Sequence, residues 1–352
     1  MPDTESPKDE NSTGTADCFY LAAVPNPPVP LPRVPRPKLA PSTPSAHAKI
    51  DFIEELGDPQ NDQDARVWKV LIDGDGPYAL KMFRFLHSEY LSYAFAGELN
   101  RALASPQSYV DFFDPFSCEC RAYGRLKEAQ REDVAVRAHG YLLLTPTQEA
   151  EITTKSWGEP YKPDVEEAEL NSTKPWHRSE QHRYLPIRCI VKDLATSPEH
   201  FTPSQIKTMW RDLEDFHKLG ILVRDIGVGN FIGGKIIDLS RAWTTPHPAF
   251  MYLEEYQLDD QRRLDPQRLR HAIIDFAGGE GWDWGKVKIP EDLTKCESGK
   301  GDGELDRFGV DPRLYDWCKW EEDPAEADRF LAEDLALEEE VVEGEQFELC
   351  GE

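Results

Sequence analysis

From Ile50 onward, short apolar segments alternate with polar positions at the period of half-buried strands. Residues 53–56, 67–72 and 78–83 read as three strands, and Asp73-Gly74-Asp75-Gly76 between the second and third is a strong hairpin signal. The period then lengthens. Cys120, Tyr123 and Leu126 recur at helical spacing beside Glu119 and Arg125, which predicts a helix over 117–128. Residues 134–144 and 187–191 supply two more strands, and the stretch between them, 147–183, rich in Glu, Lys and Trp without a steady period, reads as a surface insertion.

The clearest helix follows. Thr202 is placed to cap it, Pro203 to open it, and Ile206, Met209, Trp210, Leu213, Phe216 and Leu219 form one apolar stripe that Gly220 ends. Residues 221–223 make a short strand leading into a loop. Phe231-Ile232 and Lys235-Ile236-Ile237 then flank Gly233-Gly234 as a tight hairpin. Past Trp243 the composition predicts helix without a readable topology.

The two ends lack this patterning. Residues 1–48 carry a proline run between Pro25 and Pro37 and too few apolar side chains to offset the entropy of ordering, so they are expected to form a disordered Pro-rich arm. A flexible spacer is the preferred reading over a polyproline docking motif. Residues 321–352 hold fourteen acidic residues against one Arg, a solvated, self-repelling acidic tail. The chain of 352 residues, 39% hydrophobic, is long enough to bury a sizeable core. Its net charge of −26 argues against direct nucleic-acid binding and favours a basic protein surface as partner, met through the tail. Seven irregularly spaced cysteines do not make a disulfide framework, so a reducing compartment is expected. No run approaches ~20 apolar residues, and Pro2, Asp3 and Glu5 stand where a secretory leader would be basic and apolar. The expectation is an intracellular protein of nucleus or cytoplasm, away from membranes.

Val223-Arg224-Asp225-Ile226-Gly227-Val228-Gly229-Asn230 places Asp and Asn five apart in a loop, with Asp238 following at the end of a hairpin strand. Phosphoryl transfer needs a carboxylate to orient or deprotonate the attacking hydroxyl, and oxygen ligands for the Mg²⁺ that bridges the phosphates. Asp225 suits the first role; Asn230 and Asp238 suit the second. A bland alternative stands beside each: an aspartate capping its own loop, a strand lysine, a helix glutamate paired with Arg125. Cys118 and Cys120, two thiols on one helix without a second pair, do not make a zinc site.

These residues resemble the catalytic and metal-binding loops of the protein-kinase-like superfamily. Asp225 and Asn230 match its H-R-D-x-x-x-x-N pattern, and Ile236-Ile237-Asp238-Leu239-Ser240-Arg241 is similar to the metal-binding strand of small-molecule kinases. Tyr78-Ala79-Leu80-Lys81 resembles the Val-Ala-Ile-Lys strand whose lysine holds the phosphates, which implies Glu119 as its ion-pair partner, ahead of Glu98. Ile190-Val191-Lys192-Asp193-Leu194 falls where the family has its interlobe hinge, implying nucleotide contacts at Val191 and Asp193. The Cys118-to-Leu126 run and His139-Gly140-Tyr141 are similar to a group of kinase-like fungal proteins, some assigned as kinetochore subunits.

The resemblance implies an α+β, two-lobed kinase-like domain over 49–320. Its antiparallel-sheet N-lobe covers about 49–190, its hinge about 191–195 and its mainly helical C-lobe about 196–320. The implied cofactors are ATP and Mg²⁺, with Gly57 and Lys81 at the nucleotide. The departures are specific. Gly57 stands alone where three glycines are the pattern, Asp58, Asp62 and Asp64 follow it, and Val223 replaces the catalytic-loop histidine. Three aspartates beside a triphosphate repel it. Two functions follow: an ATP- and Mg²⁺-dependent phosphotransferase, placed first, and as the alternative a kinase-like scaffold, a fungal kinetochore or chromatin-associated subunit.

Overall fold

Five strands form one antiparallel sheet in the order β1-β2-β3-β5-β4. They are β1 (Ile50–Leu56), β2 (Ala65–Ile72), β3 (Asp75–Phe83), β4 (Ala138–Leu143) and β5 (Arg188–Asp193). Asp73 and Gly74 turn β2 into β3 with φ of +52° and +86°, the paired positive values a two-residue type I′ hairpin demands. The computed structural model describes residues 31–32, 34, 37–42, 48–57, 64–86, 106–157, 176–178, 182, 185–197 and 199–282, all within one unit spanning Leu31–Glu352. The start of the arm, Glu98 and the acidic tail lie outside the described residues.

Alternation on the central strands sorts two cores. Leu80 and Met82 of β3 join Cys189 and Val191 of β5 on one face, with Trp68 and Val70 of β2. That face is covered by Ile152, on helix α3 (Pro146–Trp157), and by Trp176. The helix and the buried Trp176 correct the reading of 147–183 as insertion throughout. Thr145 and Gln148 cap α3 reciprocally, at 2.9 and 3.3 Å, a capping box that a search for apolar period overlooks. On the other face Phe83 and Ile190 meet Phe116, Cys120 and Tyr123 of α2 (Pro115–Glu128), which follows α1 (Pro106–Phe113). Asp114 caps α2 by accepting from the Ser117 amide at 3.1 Å, and Pro115 occupies its first turn.

The mainly helical half begins with α4 (Ile206–Lys218), whose Met209, Leu213 and Phe216 extend the α2 core to Ile273 of α6 (Glu255–Gly279). This helix starts later than Thr202 and Pro203 suggested. Gln205 accepts from the Thr202 amide at 2.8 Å and donates to Gly233 O at 2.7 Å, so these residues form a turn tied to the next hairpin. That hairpin, β7 (Phe231–Ile232) with β8 (Lys235–Ile236), turns on Gly233 and Gly234, both at positive φ. Strand β6 (Ile221–Leu222) pairs with β9 (Trp243–Thr244), and α5 (Pro248–Tyr252) is capped by His247. The strand expected over 134–144 shortens to β4 because residues 132–134 form a 3-10 turn. Among the described residues no helix is long and apolar enough to cross a membrane.

The expected arm ends inside the fold. Leu39 is fully buried and its amide donates to Cys120 O at 2.9 Å; the Ser42 amide donates to Tyr141 O at 2.7 Å, and Tyr141 donates to Ala40 O at 3.0 Å. Residues 40–42 thereby run parallel to β4 and cover its free edge. Contact this close requires glycine on both supports. A Cβ on Gly124 would lie 2.4 Å from Pro37 O, and one on Gly140 2.5 Å from Ser42 N. The expectation of disorder across 1–48 is therefore corrected for residues 37–42: few apolar side chains suffice where backbone bonds and two glycine seats hold the segment.

Candidate functional site

Lys81 and Asp238 meet although they are 157 residues apart, with Lys81 Nζ 2.6 Å from Asp238 Oδ1. Strand alternation turns Lys81 toward α2, where Glu119 Oε2 lies 2.9 Å from the same ammonium. Glu119 has no exposed surface, because a helix turn from 116 to 123 is packed between the sheet and the helical half. Its other oxygen meets Lys192 of β5, which also donates to Ile237 O at 2.8 Å. Lysine and carboxylate thus alternate as Lys192, Glu119, Lys81, Asp238.

The electrostatics follow from that alternation. Burial alone would push the Lys81 pKa down, but the carboxylates of Asp238 and Glu119 outweigh it and raise it above the ordinary lysine value. Burial also opposes the charged form of Asp238. The ammoniums of Lys81 and Lys192, with the Ser240 amide 2.8 Å from Oδ1, hold its carboxyl well below the usual carboxylate range. Beside this cluster Arg241 clasps Asp64 with two parallel bonds, Nε to Oδ2 at 2.7 Å and Nη2 to Oδ1 at 3.0 Å. Burial raises the Asp64 carboxyl above its ordinary value more than Arg241 lowers it.

The loop that carries Asp225 is held from below. Asp265 of α6, fully buried, accepts from the Val223 amide at 2.7 Å, the Arg224 amide at 2.8 Å and His217 Nε2 at 3.0 Å. Arg224 takes φ of +64° and stacks its guanidinium 3.5 Å from the Trp243 ring centroid; burial lowers its pKa to about 10. Asp225 is exposed, and Asn230 Nδ2 donates to its carbonyl at 2.8 Å.

The structure therefore gathers Lys81, Glu119 and Asp238 at one point, with Asn230 tied to the backbone of Asp225. The other candidate residues lie elsewhere. The Val191 side chain belongs to the opposite core, since odd positions of β5 face away from Lys81. Asp193 ends β5 paired with His139 at 2.6 Å, more than half exposed. Gly57 closes β1 at φ +86°, a conformation glycine adopts without strain. Lys192, Asp64 and Asp265 are site residues that motif matching misses. The signal for Lys192 is its phase, two positions from buried Ile190 on β5, which pairs with β3 so that Ile190 stands opposite Lys81 on the same face of the sheet.

As for cofactors, Asp238 Oδ1 already accepts from Lys81 and Ser240, and among the described residues no group of three or more His, Cys, Asp or Glu is placed to hold a metal ion. Each of the cations Lys81, Lys192 and Arg241 faces a carboxylate of the chain itself. Of the two Mg²⁺ ligands the resemblance implies, Asp238 has Oδ1 taken by Lys81 and the Ser240 amide, and Asn230 donates its Nδ2 to the Asp225 carbonyl.

No curated protein matches the chain. A protein-family model does, over residues 27–243, more than half of the 352. The match takes in the docked segment 37–42, the sheet, Lys81, Glu119, Asp225 and Asp238, and stops at the first residue of β9. By that match the chain belongs to the family described as Kinetochore Sim4 complex subunit FTA2.

Proposed function

We propose that the chain is a non-catalytic interaction module of a kinetochore complex in the nucleus, built on a kinase-like two-lobed frame. The family carries the kinetochore assignment. Three features support the kinase-like frame: the strand order β1-β2-β3-β5-β4, the contact of Lys81 with Glu119 and Asp238, and the loop joining Asp225 to Asn230. The observation that carries the non-catalytic reading is the self-neutralised row of charges. A triphosphate carries several negative charges, and a site of alternating lysines and carboxylates offers it no net attraction. Protein partners fit better than nucleotide, and the net charge of −26 favours a partner with a basic surface.

The test is an Asp225→Asn replacement at the protein's own chromosomal copy. Asp225 is exposed, so the change spares the fold while removing the carboxylate that the resemblance places as catalytic base. The expected outcome is wild-type growth, chromosome segregation and centromere localisation. Segregation failure with the variant folded and correctly placed would sink this reading and revive phosphoryl transfer. The partner of the basic-surface proposal is checked by salt: captured complex should fall off as ionic strength rises through the physiological range.

A further inference from the structure

We infer that the Asp64 carboxylate is a built-in occupant of the anion position beside Lys81 and Asp238, held on Arg241 so that it and a polyphosphate exclude one another. The inference rests on the kinase-like reading of the site, and it names what keeps that site shut.

The bidentate geometry comes first. A guanidinium that meets two carboxylate oxygens at 2.7 and 3.0 Å uses the same fork by which arginine holds a phosphate. Position comes second. Asp64 immediately precedes β2, at the end of the segment where a phosphate-binding loop would lie, and Arg241 follows Asp238 by three residues. The pair joins positions 177 apart and fastens the sheet to the helical half. The environment comes third: the Asp64 side chain is only 14% exposed, and it sits within the fields of both Lys81 and Asp238. A carboxylate so desolvated stays only where a cation compensates it, and Arg241 supplies that charge.

Competition follows from the charges. An incoming polyphosphate needs Arg241 and Lys81, and must first expel Asp64, which then stands as a like charge nearby. Removing either member breaks the bridge, but only removal of Asp64 leaves a cation directed at the site. Removal of Arg241 leaves a carboxylate there. This asymmetry separates an occupant from loosening of the fold alone, which follows the loss of either partner.

The experiment is isothermal titration of the full chain with tripolyphosphate and with ATP, each with and without Mg²⁺, for wild type, Asp64→Ala and Arg241→Ala. Asp64→Asn, which keeps the shape, stands in should the alanine variant not fold, as judged by circular dichroism. The expected result is that the Asp64 variant binds tripolyphosphate at least about tenfold tighter than wild type, ~1.4 kcal/mol, while Arg241→Ala binds no tighter. Equal binding by wild type and the folded Asp64 variants overturns the inference, as does an equal gain in Arg241→Ala, which would mean simple loosening. These outcomes are read in the calorimeter, whereas the scaffold reading falls on the cellular loss in Asp225→Asn, so the two failures are distinguishable.

Discussion

Glu119 is the residue on which the site's charge balance turns. Its two oxygens serve two buried lysines, so truncation leaves two buried ammoniums without the carboxylate that joins them. Removing one partner of a buried pair costs far more than the pair contributes, and Glu119→Ala should lower unfolding stability by about 3–5 kcal/mol in a urea titration. A loss under about 1 kcal/mol would show that the lysines find other compensation. The buried cysteines Cys118 and Cys120 of the same helix, and Cys189 of β5, have the opposite character. Burial pushes the Cys118 thiol up to about 12, and Cys120 and Cys189 well above the ordinary value. Native protein at mildly alkaline pH should therefore leave all three unmodified by iodoacetamide, and unfolded protein should not, as peptide mass spectrometry would report. Asp238 was legible in the sequence through its spacing from Asp225 and Asn230, and Lys81 and Glu119 through the resemblance of their segments to kinase-like motifs. Asp64 and Arg241 were not, since nothing in either neighbourhood encodes a partner 177 residues away.

At the scale of elements, apolar period located the strands and α4, and the glycine pairs located the hairpins, because those signals are short-range. The docked segment 37–42 lacked such a signal. Its binding is written in its supports, Gly124 on α2 and Gly140 on β4, where a side chain would occupy the space of the Pro37 and Ser42 backbone. Gly124→Ala should therefore displace the segment instead of merely stiffening the helix, even though alanine is the better helix former by roughly 1 kcal/mol. Overpacking of this kind costs about 1–3 kcal/mol, and faster amide exchange at Leu39 and Ser42 is the specific readout. Should Gly124→Ala instead raise the melting temperature with exchange at Leu39 unchanged, helix propensity has won and the segment is no strap. The reading of 1–48 as one arm failed at its end because composition averages over a stretch in which a few backbone contacts decide order.

The whole molecule holds its halves together with buried polar groups as much as with apolar area. Arg121, on α2, donates from one nitrogen to the carbonyls of Thr244 and Pro246 in the helical half, and its guanidinium lies 4.9 Å from the Phe112 ring centroid. His247 closes the same junction. Its Nδ1 accepts from the Ala249 amide at 3.1 Å, which leaves Nε2 as the protonated nitrogen facing Phe112 O at 3.3 Å, and its ring stacks on Trp243. Burial, with Arg121 and Arg224 close by, holds its pKa well below the ordinary histidine value of 6.5. The sign follows from linkage. Below that value the unfolded chain takes up a proton that the folded chain refuses, so stability is complete above it and falls as the solution is acidified. The slope from this one group approaches ~1.4 kcal/mol per pH unit once the unfolded histidine is fully protonated. His247→Asn retains a side chain able to cap α5, and loses the stacking, a penalty independent of pH. The variant should be less stable than wild type at neutral pH, and the gap should narrow steadily as pH drops from about 6.5 toward 5. His177, whose pKa is also lowered, is present in both proteins and cancels in the difference. Parallel stability curves across that range would show that His247 is protonated as readily in the folded junction as in the unfolded chain, contrary to its burial between two arginines.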